Sequence, residues 1–502
     1  MKRFLMVLMM GTVINSAPVS AGVKDNSLTV AFKRELETLD VYQNSSREGV
    51  ILAMHVWDSL LYKHSSSNTY FGNLATEWQW IDDLTIEFKL RKGVKFHNGE
   101  KFDADDVVFT MNYIADPKNG VKPQRNVAWL KRAHKIDDYT VRIELDVPFP
   151  AALDYFAGPL VIYPNEYFEK VGSKGMGTKP IGTGPYEVTS SKQGEEIVLK
   201  SYSNYHKDGP KNTPVIDKII WRTISENNTQ FAELLSGGLD WIWQVPSDQA
   251  SRFKKQDKFT VSNESTMRIG YLGFDAIGRS GENPFNDIRV RRAVSYAIDR
   301  QGIVDSLLGG GSFVVDSACF PTQLGCDTEV KKYSYDPDKA KQLLEEAGYK
   351  NGFDISFSAY RNRDYAEAMM ANLADVGITT SLDYTKYAAL RDKVQKGKIP
   401  LMFMTWGSYS INDVSAITSN FFRGGKDDYA RDPEIIEWLT KADTTTDYLA
   451  REKNYSLALN KIADQAYWLP LFSYNSNYVY SKDLKFTPTI DEIPRFFSSK
   501  FK

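Results

Sequence analysis

The sequence predicts an α/β protein, because strand patterns and amphipathic helix patterns alternate along most of the chain. Three stretches support this prediction. Residues 87–111 contain an alternating run, an Asn98-Gly99 turn and a helix start in succession. A strand pattern at 269–275 precedes a helix pattern at 284–300. A third strand, at 353–358, is followed by a short polar loop and a helix that carries Met369 and Met370.

Composition limits the class of protein. The 502 residues leave room for two or three domains, and a hydrophobic fraction of 42% excludes wholesale disorder. The formal net charge is only -2, with the basic residues scattered along the chain. A nucleic-acid partner would need a basic face. We therefore expect a folded protein that does not bind nucleic acid.

The first 21 residues are typical of a secretory signal. Lys2 and Arg3 precede an apolar run at 4–13, and Val19-Ser20-Ala21 has the small residues of a cleavage site. The apolar run is too short to span a bilayer, and no other segment approaches that length. We expect cleavage near Ala21 and a soluble protein in the periplasm.

The chain has two cysteines, Cys319 and Cys326, within CFPTQLGC. In an oxidising compartment, their close spacing across a loop with proline and glycine favours a disulfide. Metal binding is the weaker interpretation, because no histidine is nearby and none of the five histidines is paired at ligand spacing. We therefore predict a disulfide, no metal site and no cofactor.

Acidic residues mark the predicted helix starts. Asp103 is an N-cap with Asp106 at the third helical position, and Phe102 and Val107 are placed for a hydrophobic staple. Two further caps stand before prolines, at 336–337 and 432–433. Further predicted helices cover 48–62, 228–235, 335–348 and 455–466. In the helix at 284–300, an apolar stripe predicts a core face and leaves the arginines on a solvated or ion-paired face.

Further strands are predicted from apolar and alternating runs at 27–32, 141–145, 187–201, 216–224, 401–405 and 468–472. The segment 180–186, PIGTGPY, has glycines that permit a tight turn and prolines that keep it rigid. A phosphate cradle is the alternative, but no Lys-Ser/Thr pair follows. We interpret this segment as a structural elbow.

The sequence does not assemble a catalytic constellation. It has no G-x-S-x-G, no H-E-x-x-H and no Walker loop. One S-x-x-K occurs at 251–254, without its companion motifs, and paired acids stand in turns or helix starts. We predict that the protein is not an enzyme.

Three motifs resemble one family nearly residue for residue: LRKGVKFHNGEKFDADDVVFTM at 90–111, PIGTGPY at 180–186 and PFNDIRVRRAVSYAIDR at 284–300. The chain resembles the family 5 solute-binding proteins of ABC importers, the oligopeptide- and dipeptide-binding group. The resemblance runs from about residue 28 to residue 472. It implies a two-lobed, hinged periplasmic-binding-protein fold of type II with an extra third domain.

The resemblance also implies how the chain is divided. Residues 1–21 are the signal peptide, and residues 22–55, 175–265 and 475–502 form lobe I. Residues 56–174 form the extra domain attached to lobe I, and residues 266–474 form lobe II. The resemblance further implies a monomer that closes on a solute and delivers it to permease subunits in the inner membrane.

The implied solute is a peptide. The alternative is a non-peptide solute such as an opine, a sugar, haem or a metal chelate. A secreted hydrolase with a two-lobed cleft is the more distant alternative.

Two positions match family binding residues individually. Arg361 resembles the arginine that holds the ligand carboxylate in dipeptide binders, and the other interpretation is a surface arginine at a strand-to-helix turn. Relatives place an aspartate shortly after the tryptophan equivalent to Trp406, to pair with the ligand amine. Here Ser408, Tyr409 and Ser410 follow, and the first acid is Asp413. Either Asp413 serves this role or the ligand has no free amine there.

Trp406 and Tyr409 are accordingly expected in the ligand site. Family members also carry a polar loop before a helix, near residue 44 here. The turn that contains Ser45 and Ser46 either faces the ligand or is an ordinary loop.

Overall fold

The structure is a computed structural model that describes residues 22–44, 46–64, 69–408 and 411–502. The predicted signal peptide at 1–21 lies outside these residues. Within the described ranges, no helix is long and apolar enough to cross a membrane.

The strands of the described chain form one ten-stranded sheet, one four-stranded sheet and two small two-stranded sheets. In chain order they are β1 (Ser27–Phe32), β2 (Leu61–Lys63), β3 (Tyr70–Gly72), β4 (Ala75–Asp82), β5 (Thr85–Leu90), β6 (Leu130–Asp137), β7 (Thr140–Leu145), β8 (Tyr186–Lys192), β9 (Glu196–Ser201), β10 (Lys218–Thr223), β11 (Trp241–Trp243), β12 (Phe259–Phe274), β13 (Phe353–Ala359), β14 (Ile378–Tyr384), β15 (Leu401–Gly407), β16 (Trp468–Ser481), β17 (Leu484–Lys485) and β18 (Lys500–Phe501).

The helices alternate with these strands, as the sequence predicts. They are α1 (Arg47–Val56), α2 (Ala104–Ala115), α3 (Ala152–Phe156), α4 (Asn165–Met176), α5 (Asn227–Ser236), α6 (Ser247–Phe253), α7 (Ile288–Ala297), α8 (Arg300–Ile303), α9 (Pro337–Glu346), α10 (Arg363–Asp375), α11 (Tyr387–Gln395), α12 (Ser415–Phe422), α13 (Pro433–Asp443) and α14 (Tyr448–Asp464).

Two long antiparallel strands, β12 and β16, join the two halves of the large sheet. The strand order is β14-β13-β15-β12-β16-β11-β1-β10-β9-β8, so both long strands are central. Their pairing shifts register between Ser265 and Ile269. Such a shift bends a strand and strengthens its twist. The proposed crossings between lobes, at 265/266 and 474/475, fall beside this irregularity.

Side chains near the smaller, four-stranded sheet share one hydrophobic cluster with the N-terminal half of the large sheet.

Helix α2 begins as predicted. Asp103 accepts a hydrogen bond from the N–H of Asp105, and the Asp106 carboxylate accepts one from the N–H of Asp103. Phe102 and Val107 are both fully buried. The capping box and its flanking apolar pair therefore hold this helix on the sheet.

The helix predicted at 48–62 is shorter in the structure, because α1 ends at Val56. The segment PIGTGPY packs against its carboxyl end. The N–H of Gly184 donates a hydrogen bond to the carbonyl oxygen of Val56 at 2.9 Å. The indole N–H of Trp57 donates one to the carbonyl oxygen of Ile181, also at 2.9 Å. A Cβ at Gly182 would lie only 2.1 Å from the Val56 oxygen. These contacts stop the helix and direct the chain into β2.

On the arginine face of α7, Arg292 pairs with Asp464 at 3.0 Å, as the prediction of an ion-paired face expects, but Arg291 differs from it. Arg291 is buried, and its guanidinium donates to the carbonyl oxygens of Phe285 at 2.7 Å and Gln465 at 3.0 Å. It also lies over the ring of Tyr467. Arg291 therefore joins α7 to the end of α14, which the helical pattern of α7 by itself does not indicate.

A buried histidine in α1 predicts acid sensitivity. His55 is fully buried; its Nδ1 donates to the Ile51 oxygen at 2.7 Å and its Nε2 accepts from the Phe496 N–H at 3.0 Å. This geometry needs a neutral ring, and burial lowers the pKa of His55 from 6.5 to about 3. Only the unfolded chain gains a proton between these values. His55 should therefore contribute a fall of about 1.4 kcal/mol per pH unit to the free energy of unfolding as pH drops below 6.5. Buried His97, whose pKa is lowered to about 4, acts in the same direction.

Denaturant unfolding at a series of pH values measures this slope. His55→Gln should reduce this slope by about 1.4 kcal/mol per pH unit, whereas the same substitution at the exposed His64 should leave it unchanged. Equal slopes in the parent and His55→Gln would contradict the prediction.

Candidate ligand-binding site

A cavity of about 870 Å³ lies between the two halves of the large sheet. Its size is in the range of sites for small molecules. One wall consists of the start of α1, two segments near 121–127 and 155–160, and Gln244. In the described residues, the other wall includes 360–361, 386–387, 405–408 and Ile411, together with Arg268 and Ala416. Both halves of the molecule therefore contribute to the cavity.

The cavity is strongly basic. The positively charged residues in its described lining are Arg34, Arg47, Lys122, Arg268, Arg361 and Lys386. In that described lining the one acid is Glu48, and burial raises the pKa of its carboxyl. Cationic walls around a cleft focus the field and favour anionic ligands.

Three helices begin at this cavity. The first-turn residues Arg47 to Val50 of α1, Tyr387 of α11 and Ala416 of α12 are all in its lining. Helix amino termini carry a partial positive charge and exposed N–H groups, so they add to the anion preference. The N-cap of α1 is Ser46, whose Oγ accepts a hydrogen bond from the N–H of Gly49 at 3.1 Å.

Arg361 lies at the turn between β13 and α10 and lines the cavity. Its Nε donates to the Oδ1 of Asn362 at 2.9 Å, and its guanidinium lies 5.1 Å from the centre of the Tyr474 ring. In the described part of the chain, no carboxylate is within ion-pair range of this guanidinium. Arg361 is therefore positioned to receive a carboxylate from a solute.

Asp413, by contrast, is absent from the described lining of the cavity. It is buried, and its Oδ2 accepts a hydrogen bond from Arg451 at 2.8 Å. Its Oδ1 accepts from the N–H and the hydroxyl of Ser415, at 3.0 and 2.6 Å. The expectation that Asp413 contacts the ligand is not supported by this geometry, because both oxygens hold the start of α12 and a buried arginine.

The other predicted site residues differ in their placement. Trp406 lies on β15, opposite Ile269 of β12, and lines the cavity. Ser46 acts as the cap of α1, and its neighbour Asn44 lines the cavity. Ser45 and Tyr409 lie outside the described residues.

The structure joins Cys319 and Cys326 in a disulfide, with their Cα atoms 5.8 Å apart. The loop that they close supports the edge of the cavity. The N–H of Leu324 donates to the oxygen of Asn412 at 2.8 Å, and the N–H of Val414 donates to the oxygen of Leu324 at 3.0 Å. These bonds position the segment from residue 411, which lines the cavity.

Sequence reasoning missed an ion cluster at the cavity wall. Glu492, in the C-terminal segment, pairs with both Arg47 of α1 and Arg268 of β12, and the Arg268 contact is 3.2 Å. Each of these residues stands in a different part of the chain, without a local motif.

A ligand-sized cavity between two halves that share two long strands is the arrangement expected of a solute-binding protein. The chain belongs to the bacterial extracellular solute-binding proteins, family 5, whose model matches residues 69–429. Its relatives include the glutathione-binding protein GsiB of Escherichia coli strain K12, 29% identical over 475 residues that cover 91% of each protein. Heme-binding protein A of Haemophilus influenzae is 29% identical over 464 residues, which cover 84% of this chain and 82% of that protein.

Solved structures show the same fold. A dipeptide-binding protein from Pseudoalteromonas sp. SM9913 in complex with Met-Leu superimposes with a TM-score of 0.81 at 23% identity, covering 95% of this chain and 100% of that one. The protein AgaA in complex with agropinic acid, from A. tumefaciens R10, gives 0.78 at 26% identity, covering 95% and 99%. The two-lobed α/β fold predicted from the sequence is confirmed.

Proposed function

We propose that this chain is the periplasmic solute-binding component of an ABC importer, which encloses a small peptide between its lobes and delivers it to the permease. The basic cavity between the halves carries this proposal. Its volume of about 870 Å³ suits a solute of a few amino-acid residues. The export signal predicted at 1–21 agrees with a periplasmic role, and the protein acts as a monomer without turnover of its ligand.

A second candidate is the same role for a non-peptide organic acid. It is favoured by the placement of Asp413, which is bound to Arg451 instead of facing the solute. A free amine on the ligand would then have no aspartate to pair with at the position where dipeptide binders supply one, after the tryptophan. Native mass spectrometry of protein purified without denaturation distinguishes the two candidates by the mass of the retained solute.

Closure between the lobes is the expected mechanism. The N–H of Asn412 donates to the Asp154 carboxylate at 3.2 Å, and the Thr446 hydroxyl donates to Asp83 at 3.1 Å, both across the proposed boundary. Each of these two hydrogen bonds contributes little net free energy by itself. A solute that contacts both walls adds free energy to the closed state alone, and so shifts the population towards closure.

Small-angle X-ray scattering tests this closure. We expect a smaller radius of gyration for the protein loaded with its retained solute than for the same protein after unfolding, dialysis and refolding. Identical scattering profiles at saturating solute would contradict closure. The absence of any retained or added solute that binds would contradict the proposed function itself.

A further inference from the structure

Glu48 is the one acidic residue in the described lining of the cavity. It stands in the first turn of α1 and is only 8% exposed. No described lysine or arginine forms an ion pair with its carboxylate, and burial raises its pKa although its own backbone N–H donates a hydrogen bond to it. A buried carboxylate without a close positive partner is energetically unfavourable. A cation that the solute brings into the cavity would relieve this penalty.

The neighbouring arginines do not act as that close partner. Arg34 and Arg47 attract the Glu48 carboxylate, but neither lies within ion-pair distance of it. Arg47, the preceding residue, pairs with Glu492, which also pairs with Arg268 at 3.2 Å. The first turn of α1 therefore places an acid at the cavity while its adjacent guanidinium is paired with another carboxylate.

Glu48 and Arg361 belong to opposite walls of the cavity. Glu48 is on the wall formed by the start of α1, and Arg361 is on the wall that contains Trp406. Both side chains interact electrostatically with Glu492, so both lie near the same carboxylate. A solute with an ammonium group and a carboxylate can therefore pair with both walls at once. Such a bridge adds free energy to the closed state alone.

Asp413, the acid that the sequence predicts as the partner of a ligand amine, is already occupied. Its carboxylate accepts hydrogen bonds from Arg451 at 2.8 Å and from the Ser415 hydroxyl at 2.6 Å. It is also absent from the described lining of the cavity. Glu48 differs on both points, because it lines the cavity and has no such partner among the described residues.

We propose that Glu48 holds the ammonium group of the solute, so that the solute is a zwitterion with its amine at α1 and its carboxylate at Arg361. This assignment rests on the proposed function and identifies the solute class as short peptides with a free amino terminus. A purely structural role for Glu48 is the alternative, because an acid in the first turn also stabilises the helix dipole.

Calorimetric titration of the solute-free protein tests this pairing with two probes. The tripeptide Ala-Ala-Ala has a free amine, and N-propionyl-Ala-Ala has the same shape without it. The basic cavity by itself favours the second probe, which carries a net negative charge. We nevertheless expect the tripeptide to bind ten-fold or more tightly, because a desolvated charge pair contributes strongly to affinity. Equal or tighter binding of the propionyl compound overturns the pairing but leaves the proposed function intact.

Glu48→Gln assigns the effect to this residue. The variant should lose ten-fold or more of the preference for the tripeptide, while its affinity for the propionyl compound should stay close to that of the parent. Glu166→Gln is the matched control, because Glu166 is also an acid in the first turn of a helix, α4, and its side chain is 71% exposed. This control should keep the full preference.

Two results with these variants overturn the inference. One is an unchanged preference in Glu48→Gln, which together with a lower thermal midpoint of the solute-free variant would indicate a purely structural role. The other is loss of the preference in Asp413→Asn while Glu48→Gln keeps it, which would assign the amine to Asp413.

The retained solute provides an independent measure. Reductive methylation followed by mass spectrometry shows whether it has an amine, and a retained solute without one overturns the inference. If neither probe binds, the retained solute replaces them: Glu48→Gln should weaken its binding ten-fold or more, and parent-like affinity overturns the inference. If neither probe binds and no solute is retained, the result contradicts the proposed function instead.

Discussion

Arg361→Ala should weaken binding of the retained solute by well over an order of magnitude. Removing one partner of a desolvated charge pair typically costs about 2 to 5 kcal/mol, because the remaining charge stays buried. The free protein should lose little stability, since Arg361 hydrogen-bonds only side chains beside it in sequence among the described residues, those of Asn362 and Tyr360. Arg361→Lys should recover little of the affinity, because an ammonium cannot reproduce the two-pronged geometry of a guanidinium.

The matched control is Arg363→Ala, two residues further on. Arg363 pairs with Glu367 at 2.7 Å on the surface of α10, where the two side chains are 64% and 55% exposed. The Arg363→Ala variant should bind the solute with the affinity of the parent protein. Calorimetric titration measures both variants, and parent-like affinity in Arg361→Ala would show that the solute carboxylate is held elsewhere.

Asp58→Ala should cause the largest loss of stability among these variants, about 3 to 5 kcal/mol, because it leaves a buried ammonium unpaired. Asp58 is fully buried just after α1, and its Oδ1 lies 2.8 Å from the Nζ of Lys211. Burial acts to raise the pKa of Asp58, but Lys211 and His206 outweigh it and hold the pKa well below its ordinary value. The carboxylate also accepts hydrogen bonds from Asn73 at 3.1 Å and Thr183 at 3.2 Å.

Denaturant unfolding measures this loss. Glu437→Ala, which removes an exposed ion pair with Lys441, is the control and should cost less than about 1 kcal/mol. Adding Lys211→Met to Asp58→Ala should recover part of the stability, because the unpaired charge disappears. Equal losses for the Asp58 and Glu437 variants would contradict the assigned role of the buried pair.

Local chemistry explains which elements were predicted well. The capping of α2 by Asp103 joins atoms within three residues of one another, and so does the cap of α13 by Asp432. Asp336 likewise caps α9, with Pro337 in its first turn. The apolar stripe of α7 is buried as its period indicates. Such features depend on neighbours in sequence, so the chain specifies them without reference to the fold.

The end of α1 and the role of Asp413 depended on distant residues. Val56 ends its helix because Gly182 and Gly184 approach it from far along the chain. Asp413 is bound to Arg451, 38 residues away, so the first acid after Trp406 does not reach the solute cavity. A family pattern indicates which residues to compare, but the loop geometry decides which side chain faces the cavity.

The sequence by itself therefore determined the α/β class, the helix caps and the family, and it singled out Arg361 as a predicted site residue. Only the tertiary structure brought Arg47, Arg268 and Glu492 together above Gly407. Helix and strand patterns arise from contacts a few residues apart, which a linear pattern records. The charge of a cavity is a sum over side chains from distant segments, and it exists only once the two halves enclose the same space.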